Sequence, residues 1–347
     1  MVNGSEFRPR TNTKKQLVVG SALGCVALWL TFRRTDLGAV AAAVERVHLW
    51  PVVVAMLLVA VTVIAVAQRW QLLVARGRSS RIRSPFVAAV VTGQMLNVLL
   101  PIRLGEFVRA FWISRAEGLP LARVLGTIAV ERLADVLMLG ASVTFLLLRL
   151  SLPPWVRNSG RAALAASILA AVVAIVLAKW GTSVLRVLDV PLRMLPSKIR
   201  LGTIRHGRIA LTELQAFRDW RANLKVWGLS VVIVMLAAST NYVLFFAFDL
   251  SLSPTTALLL FVVLQIGGAP VSTPGNLGVF HYLVVLVLAT LGVDRTVAVA
   301  YAVMLHAIAI GPKIIAGAII LGTRRTPVFE AVGWTQSGLE TAQHVGQ

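Results

Sequence analysis

The chain has 347 residues, of which 57% are hydrophobic and only 14% charged, with a mean hydropathy of +0.81. That balance excludes a soluble globular protein and places the chain among polytopic membrane proteins. The formal charge of +20 does not point to nucleic acid, because the basic residues fall between apolar runs, where they suit anionic headgroups and the positive-inside bias of cytoplasmic loops.

Residues 1–16 are polar and basic and read as a cytoplasmic N-terminus. Residues 17–32 form the first apolar run, adequate for a crossing when Lys14, Lys15 and Arg33 snorkel at its ends. Its Cys25 is the sole cysteine, which excludes a disulfide framework or a cysteine metal site within one chain. Residues 49–74 make a full crossing, with Trp50 and Trp70 expected as interfacial anchors. After a basic loop holding Arg76, Arg78, Arg81 and Arg83, residues 85–100 are apolar, the run breaks at Pro101, and it resumes over 104–113. Each piece is too short to cross alone, so a re-entrant helical hairpin is expected.

Residues 119–148 cross with length to spare and contain Glu131, Arg132 and Asp135. A polar connection over 151–161 leads into a further crossing at 162–179. Residues 181–225 are densely basic, and Leu201, Ile204, Leu211, Leu214 and Phe217 recur there at helical spacing, as in an amphipathic helix lying on an anionic leaflet. Residues 226–248 cross next. A second broken pair, 255–267 and 277–291, flanks a stretch containing Pro270, Pro274, Gly275 and Gly278. Residues 297–321 cross last, carrying His306 and Lys313, and 323–347 read as a cytoplasmic tail.

Pro101-Ile-Arg-Leu-Gly105-Glu-Phe107 is echoed by Pro274-Gly-Asn-Leu-Gly278-Val-Phe280, both reading Pro-x-x-Leu-Gly-x-Phe. With the N-terminus inside, the loop bearing Arg76 to Arg83, the 181–225 segment and Arg324-Arg325 all face the cytoplasm. The two hairpins then enter from opposite sides. The expected fold is therefore an all-α polytopic membrane protein of about six transmembrane helices plus two re-entrant helical hairpins in an inverted repeat. Its membrane domain spans 17–322, with repeat 1 at 49–148, the amphipathic segment at 181–225 and repeat 2 at 226–321.

Half-helices that restart near the middle of a bilayer expose free backbone N–H groups, which attract anions. Charges at that depth are functional suspects. Arg103, Glu106 and Arg109 share one helical face, as do Glu131 and Asp135, with Arg132 between them. Two readings stay open for these residues: mutual neutralisation of three arginines and three carboxylates, or presentation of Arg103 or Arg109 to an anionic substrate. Asn97, Gly275, Asn276, His281, His306 and Lys313 complete the candidate substrate-binding set, with helix breaks at Pro101, Gly105, Pro270, Pro274 and Gly278. No catalytic, metal or cofactor site is expected.

The run Asn97-Val-Leu-Leu-Pro-Ile-Arg-Leu-Gly-Glu-Phe-Val-Arg109, the Glu131-Arg132 pair with Asp135, and Pro274-Gly-Asn-Leu-Gly278 together resemble the lysylphosphatidylglycerol synthase transmembrane-region family, flippase-like integral membrane proteins. The resemblance runs from about residue 49 to 321. It implies the translocating membrane half without the cytosolic aminoacyl transferase, and hence a non-enzymatic lipid flippase of the inner membrane with both termini cytoplasmic. The implied partners are membrane lipids, anionic phospholipid or lipid-linked phosphate, with no nucleic acid; a homo-oligomer is compatible with this plan. The alternatives are a secondary transporter of a soluble anion and a membrane-embedded glycosyltransferase-type enzyme using a lipid-linked donor.

Overall fold

A computed structural model of the protein describes residues 12–33, 35–76, 81–99, 104–150, 152–192, 204–205, 207–209, 211–213, 224–268 and 274–323. Among these the regular elements are all helical: α1 (Asn12–Phe32), α2 (Leu37–Glu45), α3 (Leu49–Val74), α4 (Ser84–Leu99), α5 (Gly105–Glu117), α6 (Leu121–Arg149), α7 (Pro154–Leu192), α8 (Leu224–Ala247), α9 (Pro254–Gly268), α10 (Val279–Thr290) and α11 (Arg295–Thr323). A single 3-10 turn, Pro274–Asn276, precedes α10. Among the described residues four helices are long and apolar enough to cross a membrane: α3, the Pro154–Gly181 part of α7, α8 and α11. α4, α5, α9 and α10 hold 16, 13, 15 and 12 residues. At about 1.5 Å per residue each falls short of a hydrocarbon core of about 30 Å.

α3 and α8 form the most extensive helix pair, and they run antiparallel. The backbone N–H of His48, just before α3, donates to the Ala247 carbonyl at the end of α8 at 3.2 Å. At the other end Arg69 Nη1 donates to Ser230 Oγ at 3.1 Å. Because α4 follows the end of α3 and α9 follows the end of α8, the two short-helix pairs start from opposite ends of the bundle. Their packing is parallel in plan. α4 lies on α3 and α5, and α5 on α6; α9 lies on α8 and α10, and α10 on α11. α4 also meets α11, as α9 meets α6, while α2 covers α11 as α7 covers α6.

Apolar packing divides the same way. One buried cluster, including Trp70, Phe86, Ile113 and Ile128, surrounds α4–α5, and a second, including Phe245, Leu260, Leu288 and Tyr301, surrounds α9–α10. Since lipid tails are as apolar as the side chains, such contacts hold helices together mainly by close fit, which favours small residues at crossings. α4 and α5 cross at Gly93 and Gly105, where a side chain on Gly105 would collide with the Gly93 carbonyl oxygen and with Asn97 Oδ1. Outward-facing Leu57, Ile64, Ile168, Leu169, Val172, Ile315 and Ile319 are exposed, as a lipid-facing surface requires.

Three sequence expectations are corrected. Trp70 is not an interfacial anchor: it is fully buried, its indole meeting Phe86 edge-on with ring centroids 5.5 Å apart. The polar connection over 151–161 is helical from Pro154 onward, because three polar residues in one turn do not outweigh the long apolar run that follows. An additional helix, α2, lies between the first two apolar runs, its N-terminus capped by Asp36, whose carboxylate accepts from the N–H of Gly38 at 2.8 Å. Of the amphipathic 181–225 segment, α7 runs on to Leu192 with a bend at Trp180; Leu201, Leu214 and Phe217 lie outside the described residues. Leu211 packs against Gly181, and the buried Glu213 pairs with Arg76 (2.7 Å) beyond the end of α3 and with Arg123 (3.3 Å) at the start of α6. That hydrogen-bonded carboxylate pushes the Arg76 guanidinium above its ordinary pKa.

Candidate functional site

The charges expected within the apolar runs do come together, around Glu131 and joined by Arg69, which the sequence reading did not single out. Glu131 on α6 is completely buried, and its two carboxylate oxygens are held by arginines from two other helices. Arg109 Nη2 on α5 reaches Oε2 at 2.7 Å, and Arg69 Nη2 on α3 reaches Oε1 at 3.2 Å. Arg69 and Arg109 are 2% and 4% exposed. One arginine on each oxygen matches the carboxylate in charge and geometry, and the attraction at such distances in a low dielectric offsets much of the lost hydration.

The network continues outward. Arg69 Nη2 also meets Asp135 Oδ1 at 2.7 Å, and Arg109 also pairs with Glu106, one turn before it on α5. Arg132 bridges the rim, 3.0 Å from Asp135 Oδ2 and 3.3 Å from Glu106 Oε1. Asn97 Nδ2, near the end of α4, donates to Glu106 Oε1 at 3.4 Å. Three arginines thus face three carboxylates in one continuous cluster. Arg132 differs from the other two in being 51% exposed at its side chain, which makes it the arginine at the rim of the cluster.

Local sequence explains this assembly. Glu106 and Arg109 fall one helical turn apart on α5, as do Arg132 and Asp135 on α6, so each pair shares a face. Glycine at 93 and 105 lets the backbones of α4 and α5 approach closely, which sets Arg109 over the Trp70 ring, its guanidinium carbon 4.7 Å from the centroid. Trp70 is itself oriented by donating Nε1–H to Thr127 Oγ1 at 3.1 Å. Arg69, Trp70, Thr127 and Ser230 were not among the expected site residues. Arg69 did carry a signal, as the one charged residue inside the otherwise uncharged α3. Ser230 and Thr127 carried none.

The second break gathers a smaller set. The turn at Pro274–Asn276 packs on α4, and a side chain at Gly275 would come within 3.9 Å of Val98, beside Asn97. The turn of the second break therefore packs against the end of α4, just before the first. His306 Nε2 on α11 lies 2.8 Å from the Gly275 carbonyl, and because a carbonyl only accepts, Nε2 carries the proton. The His306 and His281 rings are 4.7 Å apart, with Phe280 edge-on to His306 at 5.1 Å. His281 is 5% exposed, and its Nδ1 has no hydrogen-bond partner among the described residues. Gly275, Asn276 and Gly278 all have positive φ, of 65°, 54° and 87°. At Gly278 a side chain would in addition run into the backbone of Gly24 on α1, so both conformation and space demand glycine.

α10 begins at Gly278 without a side-chain cap, and α5 begins at Leu104 likewise. Lys313 sits two turns beyond His306 on α11 and one turn before Gly317, which packs on Met95 of α4. No ion pair to Lys313 occurs among the described residues. Pro101, Arg103 and Pro270 lie outside the described residues, so Gly105, Pro274 and Gly278 alone of the expected breaks are placed. Among the described residues no cluster of His, Cys, Asp and Glu is arranged to hold a metal ion.

What this arrangement offers chemically is a polar contact between the end of α4 and the turn before α10, with the half-exposed Arg132 side chain at the rim of the ion cluster. Around it are the starts of α5 and α10, which have no side-chain cap, and, on α11, Lys313 without an ion pair among the described residues. The carboxylates are all engaged by arginines, which suits a charge-holding role over a proton-transfer one. A family model described as "Lysylphosphatidylglycerol synthase TM region" matches residues 17–317. No curated protein and no solved structure matches the chain.

Proposed function

Because the chain belongs to the lysylphosphatidylglycerol synthase TM-region family of flippase-like integral membrane proteins, we propose that it moves an anionic or phosphate-bearing lipid between the leaflets of the inner membrane. The observation that carries this reading is the packing of the second helix break on the end of α4, beside Asn97, which itself donates to a neutralised ion cluster. A headgroup phosphate halfway across a bilayer needs positive groups that are not already saturated. Lys313, which has no ion pair among the described residues, and the starts of α5 and α10, which have no side-chain cap, meet that need, with Arg103 as a further cation at the first break. Arg132, paired with Asp135 and Glu106 but exposed at the rim, can exchange a carboxylate for the phosphate. Arg69 and Arg109 are spoken for by Glu131 and hold the scaffold.

In this proposal α4–α5 and α9–α10 are the re-entrant hairpins and α1, α3, α6, α7, α8 and α11 the six crossings. Residues 49–148 and 226–321 form the inverted repeats, a plan favoured by the opposite starting ends and the recurring helix pairings. Orientation follows from charge. Arg76, Arg81, Arg83, Arg115, Arg123 and Lys225 lie at the end where α3 stops and α8 begins, which is therefore cytoplasmic. The lipid would leave one leaflet, engage the junction through its headgroup, and exit to the other as the repeats rock, its tails staying in hydrocarbon.

The test is a leaflet-exchange assay in liposomes with a labelled anionic phospholipid. Wild type should exceed empty liposomes, and Arg132→Ala should slow exchange at least tenfold while the purified protein remains folded. Equal rates for wild type, variant and empty liposomes across anionic and phosphate-bearing lipids would overturn the proposal.

A further inference from the structure

Between the second hairpin and the α6–α7 pair lies a cavity of about 170 Å³. Its walls are almost wholly apolar: Leu146 from α6, Val156 and Gly160 from α7, Val263 and Ile266 from α9, and Leu283 from α10. The one side-chain hydroxyl that lines it, Ser159, donates its proton to the Trp155 carbonyl at 2.8 Å, which leaves it no hydrogen to give a polar guest. The slot follows one face of α9 from Leu259 to Gly267. It thus runs from the end of the bundle where α6 gives way to α7 to the second helix break, where Gly268 faces the Asn276 amide.

The corresponding place in the other half of the molecule is closed. There α4 packs tightly on α11, and Gly317 sits so close to Met95 that a side chain on it would lie 2.6 Å from the sulfur. α9 instead stands off from α6, and the gap is the slot. An empty space of this size forfeits dispersion contacts on every wall, and a dry apolar cavity of about 150 Å³ is enough to take up benzene. The medium around these helices is hydrocarbon, and a polar occupant would lose its hydrogen bonds without recompense. Every phospholipid of the surrounding leaflet carries a chain of the right chemistry.

We propose that this slot holds one acyl chain of the phospholipid in transit, with the glycerol end at Gly267 and the headgroup at the junction of Gly275, Asn276 and His281. The inference rests on the lipid-moving reading and adds to it a site for the tail, present in one repeat only. The substrate class is then a phospholipid gripped at both its phosphate and one chain, which a soluble anion could not satisfy.

The experiment uses reconstituted full-length protein and an anionic phospholipid bearing a diazirine on one acyl chain, with adducts mapped by mass spectrometry. Wild type should be labelled on α9 and α7 residues of the slot. Val263→Trp and, independently, Gly160→Leu should remove that labelling and slow exchange of the long-chain lipid at least tenfold, while a six-carbon-chain analogue of the same headgroup moves at the wild-type rate. Should either variant fail to fold, the wild-type adducts and their competition by unlabelled long-chain lipid decide. Wild type that moves lipid yet is not labelled in the slot, or slot labelling that persists in both variants, overturns the tail site and leaves the transport reading standing. Slot labelling in wild type that moves no lipid overturns the transport reading and with it the assignment of the chain to a lipid in transit. Displacement of the acyl probe by an isoprenoid phosphate but not by phospholipid overturns the choice of an acyl chain.

Discussion

Arg69, Arg109 and Arg132 carry the same charge into the same network, and burial separates what each can do. Arg69 and Arg109 each hold one oxygen of the fully buried Glu131, so removing that carboxylate leaves the cluster with one uncompensated positive charge, Arg69 keeping only Asp135 and Arg109 only Glu106. Breaking a buried pair in this way costs about 3–5 kcal/mol. Glu131→Ala is therefore expected to lower the thermal unfolding midpoint sharply and to reduce the yield of monodisperse protein, as read by size-exclusion chromatography after heating. Arg132→Ala is expected to leave that midpoint close to wild type, because Glu106 keeps Arg109 and Asp135 keeps Arg69. Its effect should appear in transport instead. If Arg132→Ala unfolds the protein as Glu131→Ala does, the division between scaffold and contact residue fails.

At the scale of elements, the first hairpin depends on how closely its two arms can approach. Gly93 and Gly105 face one another across α4 and α5, and the next turn of α5 carries Arg109 into the cluster. Gly105→Ala forces the arms apart, at a cost of about 1–3 kcal/mol typical of overpacking, and it shifts Arg109 relative to Glu131. The expected result is a lower melting midpoint together with slowed lipid exchange. An unchanged midpoint would show that the hairpin tolerates a wider spacing. The second hairpin has a different dependence, since Gly278 combines a φ of 87° with contact to Gly24 of α1. α1 is thereby tied to the start of α10, and its far end is tied to α11, where Arg295 Nη2 donates to the Leu30 carbonyl at 2.8 Å.

For the whole molecule, opposed hairpins predict opposed loops. In a Cys25→Ser background, Ala116→Cys, at the end of α5, should react with a membrane-impermeant maleimide only from the cytoplasmic side. Leu291→Cys, just after α10, should react only from outside. Reaction of both from one side would overturn the inverted arrangement. The same arrangement accounts for what the sequence made legible. Two short apolar runs around a proline, repeated with the motif Pro-x-x-Leu-Gly-x-Phe, announce a broken helix pair twice over, because a proline removes a backbone donor wherever it falls.

The amino-acid sequence by itself determined the helical membrane class, the positions of the long apolar helices and the two interrupted pairs, since these depend on hydropathy and local backbone chemistry. It also marked Glu106, Arg109, Glu131, Arg132 and Asp135, because charge in an apolar run stands out. Only the tertiary structure decided which charges are saturated. Arg109, a candidate for substrate, is enclosed by Glu106, Glu131 and Trp70, whereas Arg132 stays half open. The physical reason is that ion pairing at this depth depends on which helices lie side by side. Arg69 meets Glu131 across 62 positions of chain and Ser230 across 161, and no local pattern encodes that approach.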